Sequence, residues 1–300
     1  MSASMRHISV CICTYRRPEL LKRLLEGLSR QDTKGLFTLS AVIVDNDERQ
    51  SAKELVLEFA AASPVPIKYC VEPRKSISFA RNKALEHAEG DMIAFIDDDE
   101  FPPADWLFCL LKAGTEYKAA GVFGPVRPHF DTQPPAWLIR GRFCERPEHP
   151  TGFVMPWTEC RTGNVLLEKR IIEGIGTVFL PEFGAGASDI DLFRRLIAAG
   201  HRFIWCNEAA VHEVVPPNRW KRSFMIKRAL LRGRIALRHP ERRYRGIAKS
   251  LVAVPAYALT LPFLYLGGHH IFMKYLVKLC DHAGKLLALV GLNPVREREM

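Results

Sequence analysis

The sequence predicts an α/β fold: a mainly parallel, twisted sheet flanked by helices, with a C-terminal helical extension that associates with a membrane. Three observations predict it. Strand and helix patterns alternate over the first hundred residues, polar residues cluster just past the strand ends, and a basic band near the C-terminus runs into a long charge-free stretch. At 300 residues the chain suits one large domain plus an appendage.

Residues 8–13 read as a strand. Pro18 then sits at a first helical position, and Leu20, Leu21, Leu24, Leu25 and Leu28 follow at helical spacing. Residues 39–44 read as a second buried strand ending at Asp45. Ser51-Ala52-Lys53-Glu54 has the form of a capping box and opens a helix through Leu55, Val56 and Phe59. Residues 67–71 are a third strand, 78–88 a helix and 92–96 a fourth strand. This alternation argues for a sheet covered on both faces, whose ligands gather beyond the carboxyl ends of its strands. Those ends carry Thr14, Asp45 with Asn46, and Asp97-Asp98-Asp99.

The formal charge is +10, and residues 202–249 hold 13 Lys/Arg against 3 Asp/Glu, so this one stretch accounts for the whole excess. A local basic band implies a local anionic partner, phosphates or an anionic membrane face, rather than nucleic acid bound along the whole surface. The eight cysteines are scattered without a Cys-x-x-Cys pair, which points to free thiols in a reducing cytosol. Residues 8–13 are too short for a signal-peptide core and run into Arg16-Arg17, so no signal peptide is expected.

Two carboxylates one residue apart at the end of an apolar strand have the chemistry to hold a hard divalent ion, and that ion would bridge a diphosphate. A solvated acidic turn, favouring the N-terminus of a helix from Pro103 with Glu100 and Asp105, explains the same residues. Around the turn run Ser78-Phe79-Ala80-Arg81-Asn82-Lys83-Ala84, Gly90-Asp91 and Ile96-Asp97-Asp98-Asp99-Glu100. With Thr14-Tyr15-Arg16-Arg17-Pro18 and Val44-Asp45-Asn46, this combination resembles the family 2 glycosyltransferases of GT-A fold over about residues 5–215. The resemblance implies a catalytic domain at 1–215, with a donor-binding half at about 1–123 and an acceptor-binding half at about 124–215, and a tail at 216–300. It implies Mn²⁺ or Mg²⁺ held by Asp97 and Asp99, with Asp99 the direct ligand, and His212 as a further metal-side candidate. It also implies a nucleotide-sugar pocket of Thr14, Tyr15, Arg16, Asp45, Asn46, Arg74, Arg81, Asp97 and Asp98. Many relatives carry Asp-Asp where this chain has Asp45-Asn46, and surface ion pairing explains Arg74 and Arg81 equally well.

In the second half, Asp189-Ile190-Asp191-Leu192 opens an amphipathic helix that ends at Gly200. The family's Glu-Asp pair at this point supplies a catalytic base, and here the Glu position is Ser188 and the Asp position Asp189. Asp189 is therefore expected as the base and Asp191 as its alternative. Ser188 to Asp191 also fits a capping-box variant. Gly184 and Gly186 precede this helix as a loop that closes over substrates, or as turn residues. Between the two acidic centres lies an irregular, proline-rich stretch, 124–164, in which Trp137 and Trp157 would stack on an acceptor sugar or fill the core. Thr162-Gly163-Asn164-Val165-Leu166-Leu167 reads as a returning strand.

Residues 219–249 form a basic band with interleaved apolar residues, and residues 250–273 contain no Asp, Glu, Lys or Arg. That length suits a membrane span, but Pro255, Pro262, Gly267 and Gly268 argue against a clean helix. A kinked, re-entrant or interfacial segment on an anionic membrane surface, or a single span, is expected at the cytoplasmic face of a bacterial inner membrane, with a buried helical hairpin as the alternative. Pro216-Pro217-Asn218-Arg219-Trp220 keeps Arg-Trp but lacks the Gln of the Gln-x-x-Arg-Trp found in processive relatives, so one sugar per encounter is expected. The opening Val10-Cys11-Ile12-Cys13-Thr14-Tyr15-Arg16-Arg17-Pro18 and Lys278-Leu279-Cys280-Asp281-His282 are similar to bacterial glucosyltransferases of succinoglycan-type exopolysaccharide assembly. That likeness implies UDP-glucose as donor, a lipid-linked oligosaccharide as acceptor and inversion at the anomeric carbon. Rival readings are another glycan or lipopolysaccharide acceptor with a different donor, a nucleotidyltransferase, and a catalytically inactive membrane-bound binding protein.

Overall fold

A computed structural model describes residues 5–183, 187–238 and 240–295, of which 238 and 240–245 are described in backbone alone. Gly184 and Gly186 lie outside the described residues. In chain order the elements are β1 (Arg6–Thr14), α1 (Pro18–Ser29), β2 (Phe37–Asp45), α2 (Lys53–Ala62), β3 (Ile67–Val71), α3 (Ile77–His87) and β4 (Met92–Ile96). Then follow β5 (Glu100–Phe101), α4 (Trp106–Glu116), β6 (Gly121–Phe123), β7 (Val126–His129), α5 (Ala136–Arg140), β8 (Asn164–Glu168) and α6 (Ser188–Ala198). The chain closes with β9 (Phe203–Trp205), β10 (Val211–Val214), α7 (Arg222–Ile235), α8 (Pro240–Leu264) and α9 (His269–Leu289). Two compact units result: residues 5–127 with 146–214, and residues 128–145 with 215–295.

The first unit is built on a seven-stranded sheet in the order β3-β2-β1-β4-β8-β6-β9. Its first four strands are parallel, and β8 alone is inverted, antiparallel to both β4 and β6. Successive side chains of a strand point to opposite faces. On one face Ile8, Val10 and Ile12 meet Leu21, Leu24, Leu25 and Leu28 of α1 and Trp106, Leu107 and Leu110 of α4. On the other, Cys11, Val42 and Val44 meet Ala80 and Ala84 of α3 and Leu192, Phe193 and Leu196 of α6. Both faces are covered by helices, which is why the strands are apolar nearly throughout. Each buried leucine of α1 contributes roughly 1.5–3 kcal/mol, so the helix is held by packing more than by its caps.

Helix ends show where local patterns mislead. The Ser51 capping box does not form: Ala52 caps α2 with no side-chain bond, and the Ser51 side chain bonds Asp47 instead. The Ser188 box does not form either. Ser188 lies inside the first turn, buried, and its hydroxyl has no partner among the described residues. The stop at Gly200 does form, because Gly200 at φ 90° donates to Ile197 O while His201 donates to Leu196 O, closing the helix with two reverse bonds.

The second unit holds α5, α7, α8 and α9. Gly233 and Gly284 let α7 and α9 cross backbone to backbone, since a Cβ at either would collide with Asp281 O or Leu230 O. Arg232 bonds both oxygens of Asp281 at 3.0 and 2.9 Å across that crossing. Of the residues that argue against a clean helix, Gly267 and Gly268 sit at a break and Pro255 and Pro262 do not. α8 runs through both, and the break falls at residues 265–267 and at Gly268, with φ 111°. Packing along α9 offsets the backbone bonds the prolines cannot make.

Candidate active site

The acidic turn follows β4 and is pinned from several sides. Glu100 N donates to Asp97 O, Val214 N donates to Asp99 O, and β5 pairs antiparallel with β10, setting Glu100 opposite Glu213 and Phe101 opposite His212. Asp98, Asp99 and Glu100 are buried, so the solvated-turn alternative fails. Asp97 alone of the four acids keeps much of its side chain accessible, 45%.

Five carboxyl groups and three guanidinium groups cluster at this turn. Arg17 bonds Asp98 at 3.0 Å and Asp99 at 3.2 Å, and Thr14 Oγ1 donates to Asp98 Oδ2 at 2.9 Å. Arg81 lies 3.8 Å from Asp97 and 5.5 Å from the centre of the Phe179 ring, and Arg146 reaches Glu213 at 2.6 Å. The arginines do not neutralise the cluster. Burial pushes the Asp97 carboxyl up, against Arg81 and with the nearby Asp99 charge. Burial carries Asp98 to about 6 despite Arg17, and drives Glu100 well above the usual carboxylate range with Asp97 adding to it.

Glu100 Oε2 accepts from Asp97 N at 3.1 Å, while the buried Glu100 Oε1 has no hydrogen-bond partner among the described residues. Both carboxylates converge on Gly163, where an added Cβ would stand 2.7 Å from Glu100 Oε1 and 3.4 Å from Asp97 Oδ2. Crowded carboxyl oxygens, one of them without a hydrogen-bond partner among the described residues, suit a hard divalent cation, whose charge offsets the cost of ionising them. Among the described residues no three His, Cys, Asp or Glu side chains already form a cage. A Mg²⁺-type ion is commonly held by one or two carboxylates and completed by substrate phosphates, so the residues fit such an ion bound together with a nucleotide.

The neighbouring strand ends are arranged differently. Arg16, at φ 55°, forks onto Asp47 at 3.0 and 3.2 Å, and this left-handed kink turns Arg17 toward the acidic turn and leaves Tyr15 exposed. Asp45 is fully buried and accepts from Asp47 N, Ala52 N and Tyr69 OH, so its carboxylate anchors the turn after β2. Asn46 holds two carbonyls, Glu72 O at 2.6 Å and Arg74 O at 2.8 Å. Arg74 is paired with Glu72 at 2.7 Å and covers the Phe79 ring.

Asp189 stands in the first turn of α6, half-buried, with Oδ1 accepting from Ile190 N. Burial pushes the Cys160 thiol up to about 12, and the Asp189 charge adds to it. Asp191 is buried and committed to Arg195 at 2.8 Å and Arg194 at 3.4 Å. His212 stacks on Phe101 with 5.4 Å between ring centres, and Arg23 covers the same Phe101 ring. Trp157 is half-buried in the 146–163 segment, whereas Trp137 belongs to the second unit and packs edge-on against Phe143 and His269.

Sequence reasoning missed Arg17, Glu100, Arg146, Gly163 and Glu213 as parts of this cluster. Glu100 was legible as the fourth acid in a row, but Glu213 and Arg146 enter through strand register, which no local pattern carries.

Residues 9–169 match the family model described as Glycosyl transferase family 2. Over 97% of its length the chain is 33% identical to the succinoglycan biosynthesis protein ExoM of Rhizobium meliloti, covering 95% of that protein. It is 27% identical over 40% of its length to a GalNAc(5)-diNAcBac-PP-undecaprenol beta-1,3-glucosyltransferase of Campylobacter jejuni, covering 38% of that protein. Among solved structures, the fold matches the Pyrobaculum calidifontis mannosyltransferase PcManGT, in complex with GDP-Man and Mn²⁺, at TM-score 0.64 and 19% identity, over 96% of this chain and 87% of that one. It also matches S. aureus TarS 1-349 in complex with UDP-GlcNAc at TM-score 0.56 and 16% identity, over 97% and 93%. A parallel sheet with an acidic turn at the end of its fourth strand, a family match over residues 9–169 and a near full-length relative together establish that this chain belongs to the family 2 glycosyltransferases, enzymes that transfer hexosyl groups.

Proposed function

We propose that this enzyme is an inverting, non-processive glycosyltransferase that moves a hexose, glucose by preference, from a UDP-sugar to a lipid-linked oligosaccharide in bacterial exopolysaccharide assembly. The observation that carries the reading is the crowded carboxyl cluster after β4, with Glu100 Oε1 buried and without a hydrogen-bond partner among the described residues. Asp97 and Asp99 would hold Mn²⁺ or Mg²⁺, which when bound supplies positive charge to a departing UDP. Arg17 and Arg81 orient the acidic side chains, and Thr14 fixes Asp98 from below. Thr14, Tyr15, Arg16 and Asn46 border the nucleoside side of the pocket, where Asp45 and Arg74 hold the backbone in place.

Asp189 serves as the base that takes the proton from the acceptor hydroxyl as that oxygen attacks the anomeric carbon and the bond to UDP breaks on the opposite side. It stands in the first turn of α6, where the helix N-terminus favours an acidic side chain. Asp191, sequestered by two arginines, is the weaker alternative. His212 would flank the ion and Trp157 the acceptor. Likeness to ExoM over 97% of the chain supports exopolysaccharide assembly, the Campylobacter relative's undecaprenol name supports a lipid-linked acceptor, and the basic, apolar tail supports a place on the cytoplasmic face of the inner membrane.

The test is UDP release by purified protein from a panel of nucleotide sugars, with isolated membranes as acceptor and Mn²⁺ or Mg²⁺ present. UDP-glucose turnover that stops with a chelator is expected. Turnover of no nucleotide sugar, or release of pyrophosphate instead of UDP, would overturn the reading.

A further inference from the structure

The second unit carries a feature that glycosyl transfer does not use. Residues 246–267 are long and apolar enough to cross a bilayer, yet only 11% of their most apolar stretch is buried. The exposed residues cover more than half of the helix circumference, Leu251, Pro255, Ala258, Thr260 and Pro262 among them, and only one narrow side is covered. Val252, Ala256, Leu259, Phe263 and Leu266 recur at intervals of three and four and face outward, with Leu266 at 86% exposure. The opposite stripe of Ser250, Val254, Tyr257, Leu261 and Leu264 is buried or half-buried, and Ser250 Oγ meets His282 Nδ1 at 2.9 Å on α9. Two hydroxyls of α8 are satisfied within the helix, since Thr260 donates to Ala256 O and Ser250 to Gly246 O.

Topology decides how such a helix meets a membrane. α8 and α9 are joined by three residues and Gly268, so α9 returns along α8, as the Ser250–His282 bond and the Tyr257–Tyr275 ring contact show. α9 carries exposed Lys274 and Lys278, and Asp281 is tied to Arg232 of α7. If α8 spanned the bilayer, its partner would draw those charges into hydrocarbon, each at several kcal/mol. In a helix lying in the interface, the outer stripe enters the acyl chains while Lys249, Lys274 and Lys278 stay among the headgroups. Residues 215–295 hold 15 Lys/Arg against 2 Asp/Glu, which selects an anionic surface.

We infer that α8 is a monotopic membrane anchor: it lies within one leaflet of an anionic bilayer through the stripe from Val252 to Leu266, and does not cross. This rests on the membrane placement proposed above and adds its geometry and its contact residues.

The full-length chain is mixed with sealed vesicles of phosphatidylcholine, with and without phosphatidylglycerol, and sedimented. Binding to the anionic vesicles is expected, and the Leu259→Glu/Phe263→Glu variant should bind about tenfold or more weakly at unchanged far-UV CD. A Leu266→Cys variant expressed in a bacterial host is treated with a membrane-impermeant maleimide in intact spheroplasts, beside the parent chain. No labelling above the parent is expected. Labelling from the periplasmic side would overturn the in-plane geometry while leaving membrane placement standing. Failure to bind anionic vesicles, including failure because the stripe is buried in a stable dimer, would overturn both.

Discussion

Asn164→Ala should be among the most destabilising single substitutions in the first unit, because one amide serves three elements. Asn164 is buried at the start of β8; its Oδ1 accepts from Trp106 Nε1 at 2.8 Å, and its Nδ2 donates to Pro125 O at 2.9 Å and Ala209 O at 2.7 Å. Truncation affects these partners unequally. Pro125 O keeps its bond from Val211 N, whereas the fully buried Trp106 Nε1 and Ala209 O lose the donor or acceptor that satisfies them. An unsatisfied buried polar group costs about 1–3 kcal/mol, and the third bond adds about 1 kcal/mol, so the expected loss is about 3–5 kcal/mol after partial relaxation. Urea denaturation followed by tryptophan fluorescence measures it, with Trp106 as a reporter at the site. Trp106→Phe, which leaves only Asn164 Oδ1 unpaired, should cost less at the polar contact, and the double variant should show coupling of about 1 kcal/mol or more. A loss below 1 kcal/mol for Asn164→Ala, or strict additivity with Trp106→Phe, would refute the claim that this amide ties α4 to the ends of β6 and β8.

Three further outcomes follow from the site. Asp98 has a folded pKa of about 6 against an ordinary 3.8, so its protonated form is favoured by folding; that stability is fully present below about pH 4 and is lost, by about 3 kcal/mol, as pH rises through 6. Thermal melts in chelator should show this falling slope, and Asp98→Asn should flatten it; an unchanged slope in Asp98→Asn would count against the assignment. Asp189→Asn should cut kcat about 10²–10⁴-fold with little change in melting temperature, whereas Asp191→Asn should cost about 1–3 kcal/mol of stability by leaving Arg195 and Arg194 without their carboxylate; the reverse pattern would exchange their roles. Gly163→Ala places a Cβ against Glu100 Oε1 and should weaken divalent-ion and donor binding about tenfold at a cost of about 1–3 kcal/mol, read by calorimetric titration; wild-type affinity would show that the cluster has room to spare.

The fold was legible because its signals are periodic. Leu21, Leu24, Leu25 and Leu28 announce α1, and Ile8, Val10 and Ile12 announce the strand they cover. The acidic turn was legible by position, since the carboxyl end of β4 is where such sheets bind ligands. Reach and register were not. Glu213 joins Glu100 only because β10 pairs with β5, and Arg146 joins them from a stretch with no periodic pattern. Serines misled for a related reason. A hydroxyl at a capping position also has other partners open to it, and Ser51 bonds Asp47. Pro255 and Pro262 misled because local backbone cost was weighed without the packing of α9.

The inverted strand β8 has a further consequence. Gly124 N bonds Asn164 O at 3.2 Å, so residues 125–163 leave and re-enter the sheet on adjacent, hydrogen-bonded strands. The ends of that excursion are held at a separation that does not depend on its contents. Lengthening such a closed loop costs little, about 0.6 kcal/mol per doubling. Insertions between these two anchor points that spare Pro125 and its bond to Asn164 should therefore leave the stability of the sheet nearly unchanged.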